Sequence, residues 1–139
     1  MTDVIGIGRS PKRKEDLRFV TGRGNYVADI KRPDMLIGVF LRSPHAHALI
    51  RSIDVTAALA QPGVRAVYTG QDMRADNVGG LPVGWGISGK DGKPMQEPPH
   101  PPLAQDKVRY VGDHVAVVVA ETLAQARDAA EKIKVDYKV

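Results

Sequence analysis

Cysteine is absent from the 139 residues, which excludes disulfides and thiolate-held metal sites within this chain. Aromatic residues make up only 5%, so a core has to rest on Val, Ile, Leu and Ala. No apolar run is long enough to cross a bilayer; the longest, Val115 to Ala120, has the length of a strand. The opening stretch MTDVIGIGRSPKRKED lacks the apolar segment of a secretory signal. The cytoplasm is therefore the expected compartment. There is no Gly-x-Ser-x-Gly elbow and no cysteine nucleophile.

What is present is ordinary for one globular domain: 42% apolar and 26% charged residues. The net charge of +4 is unevenly placed. Residues 1–32 hold eight basic and four acidic groups, whereas the remainder holds twelve of each sign. Residues 1–17 have no hydrophobic periodicity and read as a basic N-terminal arm that needs a surface to lie on. Phosphates of a nucleic acid could supply that surface, which makes a stand-alone basic nucleic-acid-binding module the alternative reading. The arm has no aromatic residue before Phe19 to stack on bases.

Residues 18–139 read as a single domain. Phe19-Val20 forms a short apolar patch, residues 21–25 a turn, and Tyr26-Val27-Ala28 a short extended piece. Met35 to Arg42 is nearly all apolar and predicts a strand covered on both faces. Ala48 to Val55 predicts a second, with Ile50 and Ser52 on one face and Leu49, Arg51 and Ile53 on the other. Thr56 is placed to cap a short helix, 57–61. Val64 to Thr69 predicts a third strand. Residues 70–106 carry seven glycines and six prolines and read as a Gly/Pro-rich excursion, ordered partly or only against a partner. Val108 to Val111 predicts a short strand. His114 to Ala120 predicts the central buried one, with Val117 in its middle. Thr122 and Gln125 have capping-box spacing. They open a helix whose inner face is Leu123, Ala126, Ala130 and Ile133 and whose outer face holds the pairs Arg127–Glu131 and Asp128–Lys132. Lys134 to Val139 alternates as a last strand. The order predicts an α+β fold of two ββαβ-like halves, with a mixed sheet and helices on one face.

Five blocks, in order, resemble a known family: Ile5-Gly-Ile-Gly-Arg-Ser through Arg18-Phe-Val-Thr-Gly-Arg-Gly-Asn-Tyr-Val-Ala-Asp-Ile30; Leu41-Arg-Ser-Pro-His-Ala-His47 with Ile53-Asp; Pro62-Gly-Val64 with Val67-Tyr-Thr-Gly-Gln-Asp72; Pro102-Leu-Ala104 with Val108 through Glu121; and Val135-Asp-Tyr137. Together they are similar to the N-terminal part of the molybdopterin-binding large subunits of the xanthine dehydrogenase, aldehyde oxidase and carbon monoxide dehydrogenase group. The resemblance implies an α/β hammerhead fold. It also implies a complete enzyme, a molybdenum hydroxylase, with molybdenum–molybdopterin and a catalytic glutamate on other domains and iron–sulfur clusters and FAD on partner domains or subunits. This chain is then a non-catalytic scaffold, with no catalytic, cofactor-binding or metal residues of its own and no membrane partner.

Gly6-Ile-Gly8 and Gly22-Arg-Gly24 lack the strand before and helix after that a phosphate loop needs, so they read as turn glycines with positive φ. His45 and His47 share a face if extended, but no spacing supplies further metal ligands; a strand corner at His45 and a half-buried His47 is the plainer reading. Asp113-His114 reads as a turn aspartate beside a strand rather than an acid–base pair. The interface candidates are Arg18, Phe19, Gly22, Arg23, Gly24, Tyr26, Arg42, His45, His47 and Tyr110.

Overall fold

The computed structural model describes residue 7 and residues 12–139; Gly6, Gly8 and most of the expected arm lie outside the described residues. The chain divides into two compact units, Met1–Pro33 and Asp34–Val139.

In the first unit, α1 (Asp16–Val20) occupies the stretch expected as a bare apolar patch. It ends in a Schellman turn: the Arg23 amide donates to the Arg18 carbonyl at 2.9 Å and the Gly22 amide to Phe19 at 3.1 Å. Gly22 takes the positive φ of 70° that the turn requires. The expected extended piece at Tyr26 is instead the entry to a 3₁₀ turn, Val27–Asp29. The Asp29 carboxylate accepts from the Tyr26 amide at 2.9 Å, which favours the turn over an extended run.

The second unit contains β1 (Ile37–Arg42), β2 (Ala48–Asp54), α2 (Thr56–Leu59), β3 (Val64–Thr69), α3 (Gly70–Ala75), β4 (Lys107–Val108), β5 (His114–Ala120), α4 (Leu123–Ala130) and β6 (Lys134–Lys138). The strands divide into two antiparallel sheets rather than one mixed sheet, in the orders β1-β5-β3 and β4-β2-β6. The two halves are present, but they exchange their middle strands. β5 of the second half is the centre of the sheet built from β1 and β3; β2 of the first half is the centre of the sheet built from β4 and β6.

One face of the β1-β5-β3 sheet carries the larger core. Val39, Val118 and Val67 lie in one row across the strands, and Leu41, Ala116 and Thr69 in the next. Over these rows lies α4, through Ala126, Ala129, Ala130 and Ile133, with Ala58 of α2 beside it. The inner face of α4 is thus shifted from the expected one: Ala129 joins it and Leu123 is exposed. Alanines let helix and sheet approach closely, where bulkier side chains would hold them apart. The smaller core joins Ala48, Ala104, Val108 and Val115, with Ile50 and Tyr137 packed against it.

Several expectations are corrected. β1 alternates between half-buried and exposed residues, because it is an edge strand with one covered face. A register shift between Ile50 and Ser52 changes the strand's phase, so Ile50 and Ile53 both reach the core. Thr56 is the first residue of α2 rather than its cap; its amide donates to Asp54 Oδ1 at 3.0 Å. Residues 70–75 form α3, whose box pairs Thr69 with Asp72. The fourth strand is Lys107–Val108, not 108–111. In the Thr122 cap the hydroxyl accepts from the Gln125 amide at 3.3 Å, while the Gln125 side chain meets the hydroxyl rather than the cap amide. Neither α4 pair is among the ion pairs of the described residues; Arg65–Glu121 and Arg74–Asp106 are. Val117 faces away from the main core, and Val118, fully buried, is the central residue.

Val118→Ala is expected to cost about 2 kcal/mol, because it leaves a void between sheet and helix, whereas Val117→Ala costs less. Urea titrations of the two variants check the order. Gly70→Ala is expected to destabilise as well: an added Cβ runs into the backbone carbonyl of Ala104, which has little freedom to retreat.

Candidate functional site

The ten interface candidates fall into two sets. The first unit holds Arg18, Phe19, Gly22, Arg23, Gly24 and Tyr26. The Phe19 and Tyr26 rings stack with centroids 5.4 Å apart and planes 17° from parallel. Arg18 places its guanidinium 5.1 Å from the Phe19 ring centre and donates to Glu15 at 2.8 Å. Gly24 lies against the same ring: a Cβ there would sit 2.7 Å from Phe19 Cδ1. Its φ is not positive, so of the pair Gly22 and Gly24 only Gly22 is the expected turn glycine, and Gly24 supplies space. This set is a small, self-packed surface whose aromatic edges remain exposed; Tyr26 is 61% accessible.

The second unit brings Arg42, His45 and Tyr110 to one corner, where β1 turns into β2 against the 109–113 turn. Ser43 organises it. Its amide donates to the Asp113 carbonyl and its carbonyl accepts from Gly112, both at 2.8 Å. Its hydroxyl accepts from the His45 amide and donates to the His45 carbonyl, both at 3.0 Å. Arg42 Nη1 donates to the Gly112 carbonyl at 3.1 Å. The half-buried His45 ring meets Tyr137 edge-on, 4.9 Å between centres. His47 is exposed, so the half-buried histidine is His45 and not His47. The two imidazoles have different surroundings because the corner is bent, not extended.

Asp113 is buried and its Oδ2 accepts from the Arg109 amide at 3.0 Å, which is the work of a turn aspartate. His114 points elsewhere and stacks on Phe40 at 4.4 Å. Loss of hydration raises the Tyr110 hydroxyl above its ordinary value, and the Asp113 carboxylate adds to this against Arg42. Burial likewise raises Tyr137, opposed by the Ser43 hydroxyl. Beside the corner is an open hollow of about 340 Å³ lined by Leu81, Val83, Pro99, His100, Tyr110 and Asp113 among others. Sequence reasoning found Asp113 as a turn aspartate but missed Ser43 and Tyr137; the adjacent Ser43-Pro44 was the available signal for the first.

Among the described residues no group of three or more His, Cys, Asp or Glu is placed to hold a metal ion. The side chains of Arg42, Ser43 and Asp113 are engaged with backbone at this corner. No helix among the described residues is long and apolar enough to cross a membrane.

The family model described as "Aldehyde oxidase and xanthine dehydrogenase, a/b hammerhead domain" matches residues 21–139. The chain belongs to this family. It is 44% identical over 133 residues to the carbon monoxide dehydrogenase large chain of Afipia carboxidovorans, covering 96% of this chain and 15% of that one. The crystal structure of quinoline 2-oxidoreductase from Pseudomonas putida 86 superposes with a TM-score of 0.81 at 45% identity, over 95% of this chain and 16% of that one. A Cu,Mo carbon monoxide dehydrogenase in its carbon monoxide-reduced state gives 0.76 at 42%, over 96% and 16%. The hammerhead chain thus spans about 15% of the length of the carbon monoxide dehydrogenase large chain it matches.

Two outcomes test the local readings. Gly24→Ala is expected to push the Phe19 ring off Tyr26, seen as a loss of near-ultraviolet dichroism or of ring-current shifts at these residues. For Tyr137 the folded state keeps a proton that the unfolded chain gives up near pH 10.0. Its contribution is therefore whole below that pH and lost as pH rises through the folded value. Denaturant midpoints from about pH 9 to about pH 11 should fall more steeply for the parent than for Tyr137→Phe.

Proposed function

We propose that this hammerhead domain is a non-catalytic scaffold within the large subunit of a molybdenum hydroxylase. It packs against the domains that carry molybdenum–molybdopterin and lies near the iron–sulfur and FAD partners. On this reading the complete protein is a cytoplasmic oxidoreductase of the xanthine dehydrogenase, aldehyde oxidase or carbon monoxide dehydrogenase type. The molybdenum group would supply the oxidation chemistry when bound to those other domains. The residues of this chain position that assembly; its interface candidates are the Phe19–Tyr26 set and the Arg42–His47 corner with Tyr110.

The observation that carries this is the balance of apolar surface. Among the described residues, and apart from alanines, the buried apolar residues are Leu103, Val108, Val115, Val118 and Ile133. Larger apolar residues face outward, among them Phe40, Tyr68, Leu81, Trp85, Ile87 and Leu123. A domain that exposes more large apolar side chains than it buries is shaped for contact with other protein. The carbon monoxide dehydrogenase large chain is more than six times as long as this one, which supports a role in contact with further domains. The nucleic-acid alternative has no support in the fold or in the family.

The test compares the purified 139-residue chain with the complete large chain. Elemental analysis and dye reduction on purines, aldehydes and carbon monoxide are expected to find molybdenum and turnover only with the complete chain. Stoichiometric molybdenum on the short chain, or turnover above a buffer blank, would overturn the scaffold reading.

A further inference from the structure

The two sheets of the second unit offer an internal comparison. On the outer face of β4-β2-β6 stand Arg51, Asp54, Lys134, Asp136 and Lys138, with Leu49 as the apolar exception. Arg51 and Asp136 approach to 3.9 Å there. This is the polar outer face expected of a sheet with one side in water. The outer face of β1-β5-β3 breaks the rule. Phe40, Val117 and Tyr68 form one row across its strands, and Gly38, Val119 and Ala66 the next. No charged residue stands in either row. Phe40 and Tyr68 are 45% and 41% exposed, and the imidazole of His114 extends the patch by stacking on Phe40. The same strand, β5, therefore presents apolar residues on both sides, although only one side has a helix over it.

We infer that this outer face is the seat of an apolar segment from the remainder of the same large chain, resting on the scaffold reading above. Two features select that occupant over a second copy or a separate subunit. The first is size. Three strands of six residues span roughly 14 Å by 20 Å, a face of roughly 280 Å². A stable contact between separate chains needs about 800 Å² from each partner. A segment already tethered by the polypeptide needs far less, because its effective concentration is set by the linker. The second is charge. Partners that meet by diffusion use complementary charge for steering and register, and these rows have none. A contact formed once, during folding of one chain, has no such need, and the more apolar composition is that of permanent interfaces. An apolar helix face or hydrophobic loop fits the flat strip at Gly38 and Ala66 between the two flanking rings.

Hydroxyl-radical footprinting of the complete large chain, first alone and then with its partner subunits, reads this directly. Phe40 and Tyr68 are expected to be labelled about ten-fold less than their intrinsic reactivity predicts, in the large chain alone. Leu49, on the charged sheet face, should be labelled near its intrinsic rate. As a second measurement, a thiol introduced by Tyr68→Cys should react with maleimide about ten-fold more slowly than one introduced by Ser52→Cys. The domain has no cysteine to confuse the assignment. Equal labelling of the two faces would overturn the proposal. So would protection that appears only when the partner subunits are added, or only at high protein concentration, since these assign the face to another subunit or to a second copy. Molybdenum content of the same preparation separates the two failures: a molybdenum-loaded large chain with Tyr68 fully labelled leaves the scaffold reading standing and removes only this face.

Discussion

Everything in the second unit depends on β5 lying between β1 and β3. Its backbone pairs run from Ile37 with Ala120 on one side and from Val64 with Ala120 on the other. Each partner is contributed by a stretch at least 40 residues earlier in the chain, so no local segment can form this sheet. The reciprocal exchange, β2 between β4 and β6, ties the halves a second time. Neither half contains a complete sheet, and the fold is necessarily cooperative across its whole length. Such non-local pairing makes folding slow relative to a helical domain of equal size. It also explains why a long, glycine- and proline-rich connection is tolerated between α3 and β4. The entropy of closing a loop grows only logarithmically with its length, and the ends are fixed by the exchanged strands rather than by the connection itself.

The packing consequence is a core of small residues. Ala58, Ala116, Ala120, Ala126, Ala129 and Ala130 bring two helices and a sheet close together, but each buries little apolar area. At roughly 25 cal/mol per Å², alanine contributes far less than leucine or phenylalanine in the same place. The aromatic residues that would add most, Phe40, Tyr68 and Trp85, are on the surface. A covered outer face would make β5 a strand buried on both sides, which its unbroken apolar sequence already suggests.

That link explains how much was legible beforehand. The bounds of β3 and β5 and the start of α4 follow from apolar runs and one capping threonine, signals that act locally. The doubling of strand-strand-helix-strand was legible too. The exchange of strands was not, because pairing partners leave no mark in the periodicity of either strand. Two errors have one cause. Met35 to Arg42 reads as covered on both faces and Val117 as the middle of the buried strand, because an apolar run does not record which of its faces the core occupies. The phase change at Arg51 was hidden for another reason: an extra residue in one strand looks like ordinary alternation until its partner is known. At the corner, Arg42, His45 and Tyr110 do meet. Their organiser, Ser43, is not legible locally, because its value lies in bonds to Asp113 and Gly112, some 70 residues away.

The residues that carry the family resemblance turn out to serve geometry. Gly22 provides the left-handed residue of a Schellman turn, and Gly24 the space beneath Phe19. Gly63, with φ of 76°, turns the chain into β3 against Gln125. Gly70 admits the backbone of Ala104, which brings the end of the long connection onto the smaller core. Ser43, Gly112 and Asp113 lock the corner from which β5 departs. None of these roles involves a substrate. A framework fixed by backbone conformation and close approach leaves the chemistry free to differ elsewhere, and it can be shared by proteins whose names speak of carbon monoxide in one case and quinoline in another. The motif blocks of this chain therefore specify how the hammerhead is built and which of its faces are turned outward.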